Sequence, residues 1–374
     1  MTDTARTHGN GNAPRLSGTV RIVGAGLLGA SIGQALRAKG VDVVLSDTSP
    51  AQQRLAIDYG AGRAARDDDA PTLIVVSVPP DVTADVIAAE LERYPDAVVT
   101  DVASVKLEPF RALTERGVNI ARYIGSHPLA GRERGGAISA RADLFIGRPW
   151  VVCRDEETSA ADLALVEALA LDVGAMPLEM TPEEHDRSVA LTSHVPQVVA
   201  SLLAGRLATA DEDALRLAGQ GVRDTTRIAA SAPELWVQIL GANAQPVVEI
   251  LDALADDLRE VSDALREPTA TGARRVVAEA IRQGNDGVDR LPGKHGQNRK
   301  FEQFVVMVDD TAGQLGRLFG ELGELNVNVE DLRLEHSPGA QFGLAEISVA
   351  PAALLGAVEG LQERGWRIAG ATND

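Results

Sequence analysis

Short apolar runs alternate with helical patterns from residue 19 to about residue 178. The runs predict strands at 19–23, 41–45, 72–78, 97–102, 119–125, 149–153 and 175–178, with helices between them, including 81–93 and 107–115. Such alternation is typical of a doubly wound α/β domain with a parallel sheet. Ligands of such sheets bind beyond the carboxyl ends of the strands, so the loops after the strands are the candidate functional segments.

The pattern becomes purely helical at Thr181. The run Thr181-Pro182-Glu183-Glu184 has the form of a capping box with proline at the first helical position, and it predicts a long helix. Further on, apolar residues recur at intervals of four and three, as in a heptad seam: Val247, Leu251, Leu254, Leu258, Val261 and Leu265. The spacing alone leaves open whether this seam packs within one chain or between two chains of a dimer.

The last part of the chain changes pattern again. Residues 283–300 are rich in glycine and polar residues and predict a linker. Beyond them the order strand, helix, strand, strand, helix, strand predicts a ferredoxin-like α+β domain. The predicted organisation is therefore a disordered tail at 1–17, a Rossmann domain at 18–179, a helical domain at 180–283 with substrate binding and dimerisation as its candidate roles, a linker at 284–299 and an α+β domain at 300–374.

Composition narrows the class of partner. The 374 residues suffice for two or three domains, and the aromatic content of 3% requires aliphatic cores. The net charge of −18 argues against a nucleic acid or an anionic membrane as partner. An anionic substrate would need arginines concentrated around its site, because the overall field repels it.

Cysteine usage and hydropathy indicate a cytoplasmic protein. Cys153 is the only cysteine, which rules out an internal disulfide and fits a reducing compartment. No apolar run approaches the roughly 18 residues of a membrane-spanning helix. The polar first seventeen residues predict a disordered tail rather than a signal peptide.

The turn after the first strand carries the most specific motif. It reads Gly24-Ala25-Gly26-Leu27-Leu28-Gly29, it opens a helix, and the following strand ends at Asp47. In a dinucleotide site the first glycine allows the tight turn, the second allows close approach of the pyrophosphate, and the third allows the helix to pack on the strand. Asp47 would accept hydrogen bonds from the ribose hydroxyls and repel a 2′-phosphate, so the motif predicts NAD rather than NADP. The predicted cofactor contacts are Gly24, Gly26, Leu27, Leu28, Gly29, Asp47, Ser77, Pro79 and Ser104.

Two later strand ends carry candidate catalytic groups. His127, in the loop 126–131, lies where the nicotinamide is expected, and a neutral imidazole there can accept a proton from a substrate hydroxyl. The alternative is a histidine that bonds only to loop backbone. Ser104 could orient His127 or hold the substrate hydroxyl, or it could be a helix N-cap. Lys106, two residues on, is interpreted as a solvated cation of the first helical turn.

The helical region adds candidate substrate contacts. His194 precedes Pro196, whose ring kinks a helix interior. His185 lies nine residues earlier and, at about 100° per residue, faces the opposite side, so the two cannot share a metal, and we predict no metal site. Arg223 and Arg227 follow a glycine-rich approach, and a guanidinium can grip a carboxylate with two hydrogen bonds. A surface ion pair is the alternative for Arg227.

Taken together, these motifs resemble the prephenate dehydrogenase family, in the form that carries a C-terminal ACT domain. The resemblance spans nearly all of the chain after the tail and rests on the order and spacing of 24–29 with Asp47, 101–106, 127–131, 193–196, 223–229 with Pro233 and Trp236, 291–296 and 328–336.

The resemblance implies a reaction and a set of roles. The chain would convert prephenate with NAD into 4-hydroxyphenylpyruvate in tyrosine biosynthesis, or convert arogenate directly into tyrosine. His127 would polarise or deprotonate the substrate hydroxyl with help from Ser104. Arg227 would bind a substrate carboxylate, His194 would line the pocket, and Arg223 and Arg132 are further substrate contacts. The ACT domain implies feedback by tyrosine, with Gly313 and Asn326 as effector contacts, although a purely structural dimerisation module is the alternative. A homodimer is expected.

The sequence departs from the family pattern at three places. Gln197 stands where a histidine is often found, Arg132 and Glu133 follow the histidine loop, and Ala312 replaces the proline of the ACT turn. The charged pair leaves prephenate against arogenate open.

Two other classes of protein compete with this interpretation. A β-hydroxyacid or imine reductase would use a helical lysine, and residues 181–267 contain none. A non-enzymatic ACT-linked sensor would not need the intact glycine turn, Asp47 and His127.

Overall fold

The computed structural model describes residues 13–131, 135–154, 158–291, 301–336 and 342–369. These residues divide into two compact units. The first lies within Met1–Thr209 and Thr226–Ala253, and the second within Ala210–Thr225 and Leu254–Asp374. The division runs through the predicted helical domain at 180–283, so the domain boundaries given above stay predictions.

An eight-stranded sheet forms the centre of the first unit, in the order β3-β2-β1-β4-β5-β6-β7-β8. The strand order reverses direction between β1 and β4, which is the switch point where such sheets bind ligands. The strands are β1 (Thr19–Val23), β2 (Asp42–Ser46), β3 (Arg63–Ala64), β4 (Pro71–Val76), β5 (Val98–Asp101), β6 (Tyr123–Pro128), β7 (Pro149–Cys153) and β8 (Met176–Met180).

Helices connect most of these strands. They are α1 (Leu27–Ala38), α2 (Pro50–Asp58), α3 (Pro80–Arg93), α4 (Leu107–Glu115) and α5 (Ala160–Asp172). The central strand β1 pairs in parallel with β2 on one side and β4 on the other, so that Ile22 lies opposite Leu45 of β2 and Val75 of β4. Apart from Phe145 and Trp150, the buried core to which it belongs is aliphatic, as the low aromatic content predicts. The Rossmann-like fold is thereby confirmed.

The prediction of a wholly parallel sheet is wrong at one pair of strands, because β7 runs antiparallel to β6. A parallel pair needs a long crossover, usually a helix. In the described part of the β6–β7 connection there is only a 3₁₀ turn, Ala137–Ser139. The sixth strand also begins and ends later than predicted, so that His127 lies inside β6 rather than in the loop after it.

One long helical stretch follows β8. It consists of α6 (Pro182–Val189), a π-helical turn (Ala190–His194) and α7 (Val195–Leu207). The capping box is confirmed: the Thr181 hydroxyl accepts the Glu184 N–H at 3.1 Å, and the Glu184 carboxylate accepts the Thr181 N–H at 2.9 Å. Among the described residues this stretch is long and apolar enough to cross a membrane by length and composition only, a test that core helices of soluble proteins also pass.

The remaining helices before the linker are α8 (Glu212–Arg216), α9 (Gln220–Thr226), α10 (Pro233–Ala242), α11 (Ala244–Arg266) and α12 (Ala273–Val288). The heptad seam lies on α11 and has two different halves. Val247 is buried against Ala190 and Val195, and Leu251 packs on the same cluster. Leu258 and Leu265 are 67% and 60% exposed. The first half of the seam therefore packs within the chain, whereas Leu258 and Leu265 of the second half are exposed among the described residues.

The C-terminal residues form a four-stranded antiparallel sheet in the order β10-β11-β9-β12. The elements are β9 (Glu302–Asp309), α13 (Gln314–Glu324), β10 (Val329–His336), β11 (Phe342–Val349), α14 (Leu354–Glu363) and β12 (Arg367–Ala369). Phe304 and Ile347 of the sheet share one core with Leu318 and Leu361 of the helices. The predicted β-α-β-β-α-β order is confirmed.

Candidate active site

The turn between β1 and α1 has room only for glycine at two positions. Gly24 has φ +100°, and a Cβ there would lie 2.1 Å from the carbonyl oxygen of Ser77. A Cβ on Gly29 would lie 2.0 Å from the carbonyl oxygen of Gly24. The backbone of the turn is therefore packed against the end of β4 on one side and against α1 on the other, as the motif requires.

The same turn leaves an anion-binding position open. A Cβ on Gly26 would meet no atom within 4 Å, so this face of the turn is accessible. Helix α1 has no side-chain cap and no acidic residue in its first turn, which begins with the half-buried Leu27 and Leu28. Its first N–H groups and the positive end of its dipole are thus available to a phosphate.

Asp47 is held beside this turn by backbone groups. One carboxylate oxygen accepts the Ala25 N–H at 2.7 Å, and the other accepts the Ser49 N–H at 2.7 Å. A carboxylate has about four lone-pair positions, so acceptor capacity remains for ribose hydroxyls. Of the other predicted cofactor contacts, Ser77 is half-buried beside Gly24 and donates its N–H to Val23, and Pro79 is the exposed residue that precedes α3. The residues present fit a dinucleotide.

The end of β5 carries a buried ion pair, which overturns the interpretation of Lys106 as a solvated cation. Lys106 is 1% exposed, and its ammonium group donates to the Asp101 carboxylate and, at 2.8 Å, to the carbonyl oxygen of Ser126. The Tyr123 hydroxyl donates to the same carboxylate at 2.7 Å. Both charges are therefore compensated by hydrogen bonds, which is the condition for burying them.

Ser104 is not a helix N-cap. Helix α4 begins at Leu107, and the carboxylate of Asp186 on α6 accepts the N–H groups of Lys106 and Leu107, each at 2.9 Å. The cap thus comes from about 80 residues away in sequence. Ser104 itself is half-buried, and in the described part of the chain its hydroxyl makes no hydrogen bond with His127 or with another residue.

His127 makes a side-chain contact that sequence reasoning missed. Its Nδ1 lies 2.9 Å from Nε2 of His185 on α6, and Nδ1 of His185 lies 2.7 Å from the Asp186 carboxylate. Burial, with smaller contributions from His185 and Lys106, lowers the pKa of His127 well below its usual value. Burial likewise lowers the pKa of His185. Both imidazoles are therefore neutral at pH 7.

His194 joins the same group of residues. The amide nitrogen of the buried Asn243 lies 3.0 Å from Nδ1 of His194 and donates at 2.8 Å to the main-chain oxygen of Asp186. The ring of Trp236 stands edge-on to that of His194 at 6.0 Å. Burial lowers the pKa of His194 to about 4.

The prediction that His185 and His194 face opposite sides is wrong, and the π-helical turn is the reason. A π turn inserts one extra residue into the helix. Nine residues therefore rotate the helix as about eight would, which reduces the angle between the two side chains from about 180° to about 80°. No group of three or more metal-binding side chains is arranged around a common point in the described residues.

The structure describes two of the three predicted substrate arginines. Arg227, in a 3₁₀ turn (Arg227–Ala229), and Arg223, on α9, are exposed, and in the described part of the chain neither makes an ion pair. The alternative of a surface ion pair for Arg227 is therefore not what the structure shows. Arg132 lies outside the described residues.

The two predicted effector residues lie apart within one chain. Gly313, with φ +94°, caps the start of α13, and Asn326, with φ +58°, follows its end. An 11-residue helix is about 16 Å long, so the two cannot contact one small ligand in the same copy of the domain.

A dinucleotide turn at the sheet's switch point and a neutral histidine at another strand end define an NAD-dependent dehydrogenase with a Rossmann-like domain and a helical domain. Comparison with known families gives the particular kind. Residues 32–178 match the prephenate dehydrogenase nucleotide-binding domain, and residues 181–279 match the prephenate dehydrogenase dimerization domain. The chain belongs to the prephenate dehydrogenase family.

Individual relatives agree with this assignment. The chain is 37% identical to NovF, a probable prephenate dehydrogenase of Streptomyces niveus, over 93% of this chain and 98% of that protein. It is 32% identical to the cyclohexadienyl dehydrogenase of Zymomonas mobilis, over 60% of this chain and 80% of that one.

Solved structures show the same architecture. Prephenate dehydrogenase from Aquifex aeolicus, in complex with hydroxyphenyl propionate and NAD⁺, is 26% identical and superposes with a TM-score of 0.63, covering 73% of this chain and 99% of that one. Arogenate dehydrogenase of Synechocystis is also 26% identical, with a TM-score of 0.59 over 72% and 99% of the two chains. The predicted family and the NAD cofactor are confirmed.

Proposed function

We propose that this enzyme uses His127 as the base that accepts the hydroxyl proton of prephenate. The observation that carries the proposal is a neutral imidazole at the end of β6, in the same sheet whose β1 end carries the dinucleotide turn. A base must be unprotonated to act, and the lowered pKa keeps His127 in that state at physiological pH.

The chemistry of the substrate class explains what the site must do. Bound NAD⁺ supplies the acceptor for the hydride that leaves the hydroxyl-bearing carbon. As the hydroxyl proton passes to His127, its oxygen becomes a carbonyl. Carbon dioxide then leaves the opposite ring carbon, and the electron pair of that bond makes the ring aromatic. The resulting phenolate takes the proton back, which gives 4-hydroxyphenylpyruvate and returns His127 to its neutral state. The work of the protein is alignment and charge compensation.

The remaining predicted site residues are assigned around this step. Ser104, whose hydroxyl is uncommitted within the described residues, would hold the substrate hydroxyl. His194 would line the pocket, and Arg227 would bind one substrate carboxylate, since its guanidinium is exposed and unpaired in the described structure. Arg223 and Arg132 are proposed as further contacts. Local arginines of this kind would offset the overall negative charge of the chain.

Substrate preference is tested by direct assay. The full-length protein is incubated with prephenate or arogenate, each with NAD⁺ or NADP⁺, and NADH or NADPH formation and the product are measured. We expect turnover of prephenate with NAD⁺. The similarity to an arogenate dehydrogenase makes arogenate the second candidate. Turnover of neither substrate would contradict the proposal.

We propose three further properties: a homodimer, a tyrosine-binding C-terminal domain and a cytoplasmic location. The match to a dimerization domain and the exposed second half of the seam on α11 support a homodimer. The β-α-β-β-α-β domain supports an ACT module that binds tyrosine, with Gly313 from one copy and Asn326 from another. A cytoplasmic location is supported by the single, buried cysteine. Measuring the mass in solution, and the assay above with added tyrosine, tests the first two.

A further inference from the structure

A series of two hydrogen bonds connects the Asp186 carboxylate, through His185, to the candidate base His127. Asp186 contacts Nδ1 of His185 at 2.7 Å, and Nε2 of His185 contacts Nδ1 of His127 at 2.9 Å. Asp186 and His185 are both buried, at 3% and 0% exposure. Nothing in the dehydrogenation chemistry itself requires the two α6 residues, so their arrangement needs its own explanation.

The donor and the acceptor of each hydrogen bond in this series follow from the first acceptor, the Asp186 carboxylate. Burial tends to raise the pKa of Asp186, but the hydrogen bonds from His185 and from the Leu107 and Lys106 N–H groups leave that pKa below its usual value. The carboxylate is therefore ionised and can only accept. Nδ1 of the neutral His185 must then carry a proton, and its Nε2 must accept one from His127.

We propose that Asp186 and His185 are positioning residues, which hold the proton of His127 on Nδ1 and leave the lone pair on Nε2 for the substrate hydroxyl. This inference rests on the proposed role of His127 as base. A neutral imidazole has one donor and one acceptor nitrogen, and the bond made by one nitrogen decides the state of the other. Without the α6 pair, both forms of His127 would be available, and only one of them can take a proton through Nε2.

Asn243 selects the opposite tautomer of His194, with the proton on Nε2. Its amide nitrogen donates to the Asp186 main-chain oxygen, and the same nitrogen faces Nδ1 of His194 at 3.0 Å. Nδ1 of His194 therefore accepts, and its proton lies on Nε2. One helical segment thus prepares His127 as an acceptor through its side chains and, through a main-chain oxygen and Asn243, prepares His194 as a donor suited to an anionic oxygen.

The first test is the variant Asp186→Asn. The new amide nitrogen would donate to Nδ1 of His185, so the proton of His185 would lie on Nε2. Nε2 of His185 would then donate to Nδ1 of His127, and the proton of His127 would lie on Nε2. In this tautomer Nε2 of His127 has no lone pair with which to accept the substrate proton. In a serine protease the same change of an orienting aspartate lowers kcat by about 10⁴ through the wrong tautomer. We expect Asp186→Asn to lower kcat about 10²- to 10⁴-fold, with the KM for prephenate and the Kd for NAD⁺ within about threefold of the wild type. Glu183→Gln makes the same chemical change at an exposed position of α6 and is the matched control, with kcat unchanged.

A pair of variants at His185 separates hydrogen bonding from folding, since Asp186 also caps α4. His185→Gln retains an oxygen that can accept from His127, whereas His185→Leu does not. We expect His185→Leu to lower kcat about 10- to 100-fold and His185→Gln to recover kcat to within about threefold of the wild type. Equal kcat values for the two variants, or wild-type kcat in both Asp186→Asn and His185→Leu, would overturn the proposal.

The tautomers can also be measured without turnover. Two-bond ¹⁵N–¹H spectra of the histidine-labelled full-length protein distinguish protonated Nδ1 from protonated Nε2, and His127→Asn and His194→Asn assign the two signals. We expect His127 protonated on Nδ1 and His194 on Nε2, and a shift of the His127 proton to Nε2 in Asp186→Asn. The reverse forms in the wild type would contradict the proposal. An enzyme with the expected tautomers but no activity toward prephenate or arogenate would instead contradict the proposed function.

Discussion

Two buried polar clusters adjoin strand β6, and one of them is charged whereas the other is neutral. Lys106 and Asp101 form an ion pair tied to the Ser126 carbonyl and to Tyr123. The neighbouring cluster of His127, His185 and His194 is neutral, because burial lowers the pKa of each imidazole. The first cluster retains its charges because every partner is present. The second loses its charge, and the cation of Lys106 contributes to that loss at His127 and His185. The comparison shows how a compensated ion pair at the end of β5 and the uncharged imidazole of the proposed base on β6 can lie in neighbouring clusters.

The largest expected effect comes from removing the proposed base, His127, from the neutral cluster. His127→Asn should lower kcat about 10²- to 10⁴-fold, because general base catalysis is lost. The Kd for NAD⁺, measured by fluorescence titration, should change little, since the dinucleotide turn lies on β1. Unchanged kcat would remove His127 from the reaction and leave the neutral cluster a structural one.

The charged cluster should respond in stability rather than in chemistry. Lys106→Met leaves Asp101 buried without its cation, and breaking a buried pair in this way costs about 3–5 kcal/mol. Urea unfolding measures this loss. The double variant Lys106→Met, Asp101→Asn should be less destabilised than the single one, because no uncompensated charge remains. If the single variant is as stable as the wild type, the pair does not contribute as the structure indicates.

Lowering the pH should reduce the stability of the protein through His194, a member of the neutral cluster. The folded pKa of His194 is about 4, below its value of about 6.5 in the unfolded chain, so the unfolded state binds more protons between these two pH values. The contribution of His194 to stability is therefore fully present above pH 6.5 and is lost as the pH falls toward 4. We expect His194→Asn to flatten the fall in unfolding free energy over this window by up to about 3 kcal/mol. An equally steep fall in the variant would show that His194 is not a source of the acid sensitivity.

The smallest effect is expected at a charged group that belongs to neither cluster. Arg227→Ala should raise the KM for prephenate about 10- to 100-fold with kcat less affected, which corresponds to the roughly 1.5–3 kcal/mol of a hydrogen bond to a charged group. Arg216→Ala, at an exposed arginine that pairs with Asp213, is the control and should leave the KM unchanged. A weaker affinity for NAD⁺ alone would mean that the role of Arg227 is misassigned.

The parts of the site that were predictable from sequence are those that depend on neighbouring residues. The glycine turn, the α1 N-terminus and Asp47 lie within one strand-helix-strand unit, and their geometry follows from local backbone requirements. The capping box of α6 is equally local. Each was predicted because the residue types and their spacing contain the whole interaction.

The histidine cluster was not predictable in this way, because its contacts join distant residues. His127 meets a partner 58 residues away, and Asn243 meets His194 across 49 residues. The angular argument for His185 failed because an ideal helix does not contain the π turn at Ala190–His194. The alternative role of Ser104 as a helix N-cap was wrong for a related reason, because the carboxylate that caps α4 comes from Asp186 on α6. The adjacent residues His185 and Asp186, early in a predicted helix, were the only local signal in the sequence, and Asn243 offered none.

The position of Asp47 also has a consequence for redesign of the cofactor preference. The usual route toward NADP is to replace the acid with a small neutral residue, so that the extra phosphate is accepted. Here the same carboxylate accepts the Ala25 and Ser49 N–H groups. Its removal would leave two donors without a side-chain acceptor and loosen the turn that is proposed to hold the dinucleotide. A redesigned enzyme would therefore need a new acceptor for Ala25 before a change at position 47 could alter selectivity without weakening the binding of both cofactors.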